Sequence, residues 1–542
     1  MTKTALISTY NKDGVADFAR ALSELGWDIL ASSGTADFLR KEGIEAKDIS
    51  EIVGEPARHG KPGIAGGPIL GHRVVTLSRK IHAALLSRED DEEELARLGV
   101  PRIDLVYVDL YPLREEISKD DSTEASVIER TDIGGPALLR SAAKGRRIVI
   151  CDTKDTKRVV EWIKTGRPDD KSILQKLAAK AEMIAARYSL ISAQYNSGGD
   201  IDGFVGIKSK SLAYGENPWQ ASAGFFSVDT NDVLALESFK QVAGTDASYN
   251  NLCDLDRLLQ TATHIAAGFD KNFARVPFIA LGAKHGNACG AAVGDDKREV
   301  LQKMIEGDMR AIFGGLVMAN FEIDEELAEV LVAHKIQNGR RLLDGVIAPS
   351  FGEGTIDLLK RKGDKCRFFE NSALLNLSMA SLDSNDRFRY VRGGFLRQQN
   401  YNFVLNLRDE NIELVGETNE NQEKDFLLAW AIGSTSNSNT VTLVRGGQLV
   451  GNGVGQQDRV GCCELAVKKA EDAGHNMEGA VAYSDSFFPF VDGVEVLVKA
   501  GVKAILASSG SVRDEEVKKF CENNGLTCRF IPDNIIRGFF GH

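Results

Sequence analysis

The sequence has little that would point to metal binding, membrane insertion or nucleic-acid binding. None of its eight cysteines stands in a CxxC pair, so we expect no zinc site of the common kind and no catalytic metal. No apolar run is long enough to span a bilayer, and the N-terminus lacks the apolar core of a signal peptide. The formal net charge of −12 argues against a general nucleic-acid surface. We therefore expect a cytoplasmic protein with reduced cysteines.

The composition is otherwise that of an ordinary globular protein. The 542 residues are 43% hydrophobic and 27% charged, which allows several subdomains whose cores need no disulfide bonds. Short apolar strands alternate with amphipathic helices over residues 5–41, and this alternation predicts a parallel sheet. The sequence NSGGD at residues 196–200 indicates a linker or turn. We place a first domain at residues 1–199 and a second at residues 200–542.

One stretch in the second domain concentrates residues suited to chemistry. An apolar run over residues 276–281 ends in Gly282 and is followed by Lys284, His285 and a series of small residues. The pattern predicts a buried strand leading into a small-residue turn, and ligand sites in α/β proteins favour the connections at the carboxyl ends of strands. Imidazole exchanges protons near neutral pH, and the neighbouring ammonium can depress its pKa or hold an anion. Taken alone, the pattern slightly favours the alternative of a loop with two solvated side chains.

The same stretch resembles a known signature. KHGNACG, residues 284–290, is similar to the KHxNPCG motif of the bifunctional purine biosynthesis enzymes, in which AICAR formyltransferase is joined to IMP cyclohydrolase; Ala288 stands where many members have proline. Further matches extend over nearly the whole chain and include SSGTA (32–36), DIGG (132–135), YGENP (214–218), SNS (436–438), VGNGVGQQDR (450–459) and SDSFFPF (484–490).

The resemblance implies a fold, an activity and partners. It implies an α/β protein: an N-terminal methylglyoxal-synthase-like domain with a parallel sheet, then a larger α/β domain of two cytidine-deaminase-like subdomains. The expected activity is formyl transfer from 10-formyltetrahydrofolate to AICAR, followed by cyclisation of formyl-AICAR to IMP. These are the last two steps of de novo purine biosynthesis. The family usually forms dimers with formyltransferase sites at the subunit interface, so a homodimer is expected.

For the formyltransferase half, the resemblance assigns three catalytic residues. His285 would accept or relay the proton of the attacking amine, Lys284 would stabilise charge on the formyl oxygen or donate to the leaving nitrogen, and Asn437 would orient the formyl group. The residues expected to contact AICAR or the folate are Tyr214, Gly314, Gly315, Asp344, Phe487, Pro489, Asp492 and Arg537. Without the resemblance, Asp344 would more simply be a turn residue and the phenylalanines part of the core.

For the cyclohydrolase half, Tyr111, Asp132 and Lys144 would assist cyclisation by positioning and proton transfer. The residues expected to line the nucleotide site are Ser8, Lys12, Ser32, Gly34, Thr35 and Arg73. The alternatives from the residues alone are helix caps for Ser32 and Asp132 and a solvated helix end for Lys144.

Several positions depart from the family pattern. Each lacks a side chain that the family uses or usually carries: Val75, Ser78 and Arg79 in the first domain, and Ala213, Trp219 and Val491 in the second. By the resemblance, Val75 replaces a catalytic lysine, for which Arg73 or Lys80 would compensate if the loop refolds, and Ala213 replaces a phosphate-binding arginine.

Two alternative functions follow from these departures. One is a formyltransferase with an inactive cyclohydrolase domain, and the other is a non-catalytic protein that binds purine nucleotides. The joint presence of Lys284, His285 and Asn437 favours an enzyme, because a binding protein has little use for an acid–base pair facing its ligand.

Overall fold

The computed structural model describes residues 2–53, 74–228 and 230–541. The chain divides into two compact units, Met1–Gly206 and Ile207–His542. The sequence-based domain limits, 1–199 and 200–542, stay a prediction. Within the described residues, no helix is long and apolar enough to cross a membrane.

A parallel sheet forms the centre of the first unit. Its strand order is β3-β2-β1-β4-β5, and every pairing is parallel. The strands are β1 (Thr4–Thr9), β2 (Asp28–Ala31), β3 (Lys47–Asp48), β4 (Leu105–Asp109) and β5 (Ile148–Ile150). Leu6, Ile7 and Val106 are fully buried in the core, as expected for strands covered on both faces. The predicted α/β class and the parallel sheet of this domain are confirmed.

Helices follow the strands of this sheet. They are α1 (Val15–Glu24), α2 (Ser33–Lys41), α3 (Ser50–Val53), α4 (Arg79–Leu86), α5 (Glu92–Leu98), α6 (Leu113–Ile117), α7 (Glu124–Arg130), α8 (Gly134–Lys144), α9 (Thr156–Lys164) and α10 (Asp170–Asn196). Because the strands are parallel, the segments after β1, β2 and β4 meet at one edge of the sheet. That edge carries Ser8, Ser32 and Tyr111.

The second unit contains a twelve-stranded mixed sheet. Its order is β16-β21-β20-β19-β17-β18-β10-β9-β11-β12-β13-β8. The strands of this unit are β6 (Ile207–Ser211), β7 (Gly224–Ser227), β8 (Lys240–Ala243), β9 (Phe278–Lys284), β10 (Asn287–Gly294), β11 (Leu316–Ala319), β12 (Gly345–Ala348), β13 (Arg367–Glu370), β14 (Asp386–Val391), β15 (Gly394–Gln399), β16 (Glu413–Val415), β17 (Val441–Arg445), β18 (Gln448–Gly453), β19 (Val481–Ser484), β20 (Ala504–Ser509) and β21 (Thr527–Pro532). The pairs β6–β7 and β14–β15 form separate two-stranded hairpins.

Two long helices, α11 and α15, pack together within the core of this unit. The helices are α11 (Tyr249–Phe273), α12 (Lys297–Gly307), α13 (Glu325–Ala333), α14 (Thr355–Leu359), α15 (Glu420–Ser434), α16 (Arg459–Asp472), α17 (Asp492–Lys499), α18 (Asp514–Asn523) and α19 (Asp533–Ile536). Residues 425–434 of α15 are all buried, including Trp430. A helix that is apolar on all sides belongs in the interior, so α15 fixes the position of the loop that follows it.

The strand runs past Gly282, and the predicted small-residue turn is limited to His285 and Gly286. Strand β9 continues to Lys284, and β10 begins at Asn287, so residues 278–294 form a tight antiparallel hairpin. The small residues are needed for packing, not for a loop. A Cβ at Gly290 would lie 2.0 Å from the Met304 carbonyl oxygen, and one at Gly282 would lie 2.3 Å from Ile312 Cδ1. Glycine therefore lets α12 and its continuation approach the sheet closely.

Candidate active sites

Lys284 and His285 stand at the turn of the β9–β10 hairpin. His285 has φ of 56° and Gly286 has φ of 73°, so both central residues are left-handed, as in the two-residue turns that fit twisted hairpins. His285 is exposed at the tip, whereas Lys284 is half-buried at the end of β9. The turn thus presents the imidazole to solvent beside the ammonium group.

The ammonium of Lys284 is held beside the segment that precedes β11. Its Nζ donates to the Phe313 carbonyl oxygen at 3.0 Å, and a Cβ at Gly314 would lie 3.9 Å from that Nζ. The backbone N–H of Asp344 donates to the Gly315 carbonyl oxygen at 3.0 Å, and the Asp344 carboxylate pairs with Arg361. The structure therefore brings four predicted residues together: Lys284, Gly314, Gly315 and Asp344.

A side chain of helix α11 hydrogen-bonds to the hairpin turn. The Gly286 N–H donates to Asp254 Oδ1 at 2.5 Å. Burial raises the pKa of the Asp254 carboxyl, and the neighbouring His285 and Arg257 oppose that rise. This carboxylate holds the turn in place by accepting an N–H that the hairpin ladder leaves free.

Asn437 follows α15 and reaches the same place. Its backbone N–H points to Asn287 Oδ1 at 3.4 Å, and Asn287 is the first residue of β10. Its side-chain Oδ1 accepts from Arg257 Nη2 at 3.1 Å, and its Nδ2 donates to the Gly541 carbonyl oxygen at 3.3 Å. Asn437 therefore lies next to the turn that carries Lys284 and His285.

A buried polar network fixes the loop around Asn437. Ser438 Oγ donates to Asp485 Oδ2 at 2.6 Å, and Arg459 pairs with the same carboxylate. The side chains of Arg459 and Asp485 are 8% and 0% exposed. Arg459 also donates to Asn439 Oδ1 at 2.8 Å. Because each buried charge has several partners, the network is well satisfied and holds the loop rigidly.

A cavity of about 270 Å³ opens beside the turn. It is lined by Lys284, His285, Asn287, Ala288, Cys289, Ala311, Asn452, Val454 and Lys469. Burial raises the pKa of the Cys289 thiol to about 12, so this thiol is not a nucleophile at neutral pH. The Lys469 ammonium makes no hydrogen bond or ion pair with any described residue, which makes it available to an anionic ligand.

The remaining predicted residues of the second unit make contacts of their own. Arg537 is exposed and pairs with Asp533, which also accepts from Ser486 Oγ at 3.2 Å, so Arg537 lies beside the segment of Phe487 and Pro489. The exposed Asp492 begins α17. The Tyr214 carbonyl oxygen accepts from the first N–H of α11 at 3.0 Å. In the described part of the chain, none of these residues hydrogen-bonds to Lys284, His285 or Asn437.

In the first unit, the predicted phosphate-binding residues come together at the N-terminus of α2. Lys12 Nζ donates to Thr35 Oγ1 at 3.1 Å and to the Thr9 carbonyl oxygen, and Ser32 Oγ donates to Thr35 Oγ1 at 3.2 Å. Ser32 makes no capping bond to the helix with its side chain. Ser8 is the penultimate residue of β1, next to Thr9. Gly34 is exposed, with open space around it. Free helix amides beside an ammonium suit an anion.

A second cluster surrounds Asp132. Its Oδ1 accepts from the Gly135 N–H at 2.8 Å, and its own N–H donates to Tyr188 Oη at 2.7 Å. Burial raises the pKa of the Asp132 carboxyl. Burial also raises the pKa of the neighbouring Tyr111 hydroxyl, and the charge of Asp132 raises it further. The Tyr111 ring packs edge-on against Tyr10 at 5.3 Å. A carboxyl with a raised pKa beside a tyrosine is a candidate proton-transfer pair.

Three other predictions for this unit have different outcomes. Lys144 is the last residue of the eleven-residue helix α8, so it lies roughly 15 Å along the helix from Asp132 in the same chain. Arg73 lies outside the described residues. Val75 packs against the hydrophobic core, and Lys80 Nζ donates to the Ile52 carbonyl oxygen at 2.9 Å. Lys80 is thus occupied by a backbone contact.

Sequence reasoning missed several residues at these sites. They are Tyr188 in the first unit and Asp254, Arg257, Asn287 and Lys469 in the second. Asp254 and Arg257 carry a weak signal, since they place charges at i and i+3 of a helix whose other positions are mainly apolar. Their partners are 32 and 180 residues away, so no local pattern identifies them.

Comparisons with known proteins identify the family of the chain. A family model described as AICARFT/IMPCHase bienzyme matches residues 142–469, more than half of the chain, and a model of the MGS-like domain matches residues 14–137. Bifunctional purine biosynthesis protein PurH of Bacillus cytotoxicus is 34% identical over 542 residues, covering 98% of both chains. PurH of Anoxybacillus flavithermus is 35% identical over 549 residues, with the same coverage. A crystal structure of ForH is 30% identical, covers 37% of this chain and 100% of its own, and has a TM-score of 0.31, which is too low to bear on the fold.

Proposed function

The chain belongs to the AICARFT/IMPCHase bienzyme family, and from this premise we propose how its residues perform the two reactions of that family. The protein is an AICAR formyltransferase and IMP cyclohydrolase, a bifunctional enzyme of purine biosynthesis. We assign cyclisation to the N-terminal domain, residues 1–199, and formyl transfer to residues 200–542. The family resemblance noted in the sequence is confirmed.

Formyl transfer requires removal of a proton from a weakly nucleophilic amine and close orientation of two substrates. His285 takes the proton from the 5-amino group of AICAR as the amine attacks the formyl carbon. The bond from that carbon to N10 of the folate then breaks, and N10 takes up the proton from His285, so tetrahydrofolate leaves as the neutral amine. Lys284 stabilises the negative charge that develops on the formyl oxygen, and Asn437 donates to the same oxygen from the other side. The observation that supports this proposal is the hydrogen bond from the Asn437 backbone N–H to Asn287 Oδ1 at 3.4 Å, which joins the loop of Asn437 to the first residue after the turn of Lys284 and His285.

The formyl donor is 10-formyltetrahydrofolate, a co-substrate and not a bound cofactor. The chain offers apolar and aromatic surface that fits a flat pteridine: Phe487 and Pro489 are half-buried and Phe490 is 49% exposed. Asp492, exposed at the start of α17, is placed to accept from the amino groups of such a ring. The AICAR contacts come from Tyr214, Gly314, Gly315, Asp344 and Arg537.

Cyclisation joins the carboxamide nitrogen of formyl-AICAR to its formyl carbon and then releases water. Asp132 and Tyr111 move protons to and from the reacting amide and the departing hydroxyl. Lys12 and the free amides of α2 bind the phosphate, with Ser8, Ser32, Gly34 and Thr35 around them. Arg73, which lies outside the described residues, stays a proposed substrate-binding residue on the family resemblance alone. Lys144 enters the reaction from a second subunit of a homodimer, since it is distant from Asp132 in its own chain.

The partners of this enzyme are small molecules, and we propose a cytoplasmic location, where purine synthesis meets its folate donor. Among the described residues, no group of three or more His, Cys, Asp and Glu side chains is placed to hold a metal ion. The reactions need none, because both steps are proton transfers and additions to a formyl carbon.

The decisive experiment is product analysis of the purified chain with AICAR and 10-formyltetrahydrofolate. We expect IMP to accumulate, and we expect Lys284→Met to leave AICAR unchanged while still converting added formyl-AICAR to IMP. Accumulation of formyl-AICAR would instead show an inactive cyclohydrolase, as Val75 suggests. Untouched AICAR with measurable nucleotide binding would favour the binding-protein alternative.

A further inference from the structure

Arg257 makes contacts with both halves of the formyl-transfer site. Its Nη2 donates to Asn437 Oδ1 at 3.1 Å, and its Nη1 donates to the Thr435 carbonyl oxygen at 2.6 Å. Its stem lies against the catalytic turn, because a Cβ at Gly286 would be 3.5 Å from Arg257 Cγ. One side chain of α11 therefore touches the turn that carries His285 and the loop that carries Asn437.

The planar face of the Arg257 guanidinium is also in contact with an aromatic ring. It stacks on the Phe540 ring with 4.0 Å between the guanidinium carbon and the ring centroid, and Arg387 stacks on the same ring at 3.6 Å. Burial lowers the pKa of Arg257 to about 10, and the neighbouring Arg387 adds to this effect. Arg257 therefore still carries its charge at neutral pH, and its orientation is fixed both by two hydrogen bonds and by stacking.

This contact and the bond from Nδ2 to Gly541 select the same orientation of the Asn437 amide, and the contact with Arg257 is the charged one of the two. The oxygen and the nitrogen of an asparagine side chain have the same shape, so only hydrogen bonds select the orientation. An arginine can only donate, and it therefore fixes Oδ1 towards itself. Nδ2 carries two N–H groups: one donates to the Gly541 carbonyl oxygen at 3.3 Å, and the other remains for the formyl oxygen. The positive charge also polarises the amide, which strengthens the N–H groups as donors.

We propose that Arg257 is a positioning residue of the formyltransferase: it orients the Asn437 amide so that Nδ2 donates to the formyl oxygen. The inference rests on the role proposed above for Asn437. Arg257 touches neither substrate in this role and acts through Asn437 alone. Its removal therefore lowers the rate of formyl transfer without weakening the binding of AICAR or of the folate.

The test is a double-mutant cycle on the full-length protein with Arg257→Gln, Asn437→Ala and the double variant. We expect Arg257→Gln to lower kcat for formyl transfer about 100-fold, as loss of one preorganised donor does, with KM values for both substrates within about twofold of the wild type. The double variant should be no slower than Asn437→Ala alone. Conversion of added formyl-AICAR to IMP should be unchanged in all three proteins.

Two further variants separate positioning from a structural role. Arg257→Lys keeps the charge but not the forked geometry, so we expect it to restore less than a tenth of the lost kcat. Arg387→Gln removes the other guanidinium on Phe540 and leaves the Asn437 contact, so it should retain kcat within about threefold. A fall in kcat with Arg387→Gln equal to that with Arg257→Gln would attribute the effect to packing on Phe540 and overturn the proposal.

The remaining outcomes separate the proposed role of Asn437 from the proposed role of Arg257. If Asn437→Ala is fully active, the proposed role of Asn437 is wrong, and that of Arg257 is wrong with it. If Asn437→Ala is inactive but the losses of the two single variants multiply in the double variant, the role of Asn437 stands and the inference for Arg257 fails. A large rise in KM for AICAR with unchanged kcat would make Arg257 a substrate-binding residue instead.

Discussion

Asp254 and Arg257 lie one turn apart on α11, and each holds a different part of the formyl-transfer site. Asp254 accepts the N–H of Gly286 in the catalytic turn, and Arg257 donates to the side chain of Asn437. A single rigid helical turn thus sets the separation between the turn of His285, the proposed proton acceptor, and the side chain of Asn437, which we propose orients the formyl group. Helices place functional groups more precisely than loops do, which suits a reaction that depends on close approach.

Replacement of Asp254 by alanine should loosen the catalytic turn. The half-buried Gly286 N–H would lose its acceptor, at a cost of about 1 kcal/mol in the free energy of unfolding, and formyl transfer should slow about tenfold or more. Asp270 provides the matched control, because it lies on the same helix and accepts from the Met379 N–H at 3.0 Å, away from the turn. Asp270→Ala should leave formyl transfer unchanged; equal effects of the two substitutions would show that α11 acts only as a support.

Two substitutions of His285 should separate its chemistry from its place in the turn. Asparagine tolerates the left-handed conformation that His285 adopts, whereas a β-branched valine does not. We expect both His285→Asn and His285→Val to lose about 100-fold or more in kcat for formyl transfer, because neither can take up the proton.

Thermal unfolding then distinguishes the two His285 variants. His285→Asn should keep the melting temperature of the wild type, while His285→Val should lower it, since strain at one such residue costs about 1–3 kcal/mol. Substantial activity in His285→Asn would contradict the proposed role in proton transfer.

Gly135→Ala should impair only the cyclohydrolase. A Cβ at Gly135 would lie 2.4 Å from both Asp132 Oδ2 and Leu110 Cδ2, so the Asp132 carboxylate must move. We expect conversion of formyl-AICAR to IMP to fall about tenfold or more, while formyl transfer to AICAR proceeds at the rate of the wild type. Gly203→Ala is the control in the same unit, where the nearest atom to the added Cβ is 3.9 Å away. Separate assays of the two half-reactions on each variant check this prediction.

Glu423 should give the second unit a pH-dependent stability. Burial raises the pKa of this carboxyl, but hydrogen bonds from Arg408 and the charge of Arg529 outweigh burial and leave the pKa below its usual value. A group with a depressed folded-state pKa contributes stability above its unfolded pKa, near 4.3, and loses that contribution as the pH falls through the folded pKa.

Urea unfolding of Glu423→Gln measures this contribution. At pH 7 the variant should be less stable than the wild type by about 3 kcal/mol, since it leaves the charge of the buried Arg529 unpaired. The difference should narrow as the pH falls below about 4. Glu420→Gln on the same helix removes an exposed pair with Lys424 and should change stability by less than about 0.5 kcal/mol; a pH-independent difference for Glu423→Gln would contradict the assignment.

The sequence predicts those parts of the fold that local patterns control. Apolar runs bounded by turn residues place β1, β2 and the helices between them, and the alternation predicts the parallel sheet of the first unit. The β9–β10 hairpin is different: Gly282 and Gly290 look like turn residues, yet they lie in strands because other chain segments pass too close for a side chain. Only tertiary packing distinguishes these two uses of glycine.

The residues of the candidate sites also fall into two groups: those that a short motif identifies and those that only the folded structure identifies. Lys284, His285 and Asn437 can be found because they stand in short motifs that resemble a family. Asp254 and Arg257 cannot, since their significance depends on contacts with Gly286 and Asn437 that the folded chain alone creates.

The position of the catalytic hairpin within the large sheet has a consequence for motion. β9 pairs with β10 and β11, and β10 pairs also with β18, so both arms are enclosed by neighbouring strands. The backbone beneath Lys284 and His285 cannot open without disrupting the sheet. We expect the amide hydrogens of residues 280–283 to exchange with deuterium only through global unfolding, whereas those of the separate β14–β15 hairpin should exchange orders of magnitude faster. The backbone of this turn is therefore rigid, and the substrates must move to reach Lys284 and His285.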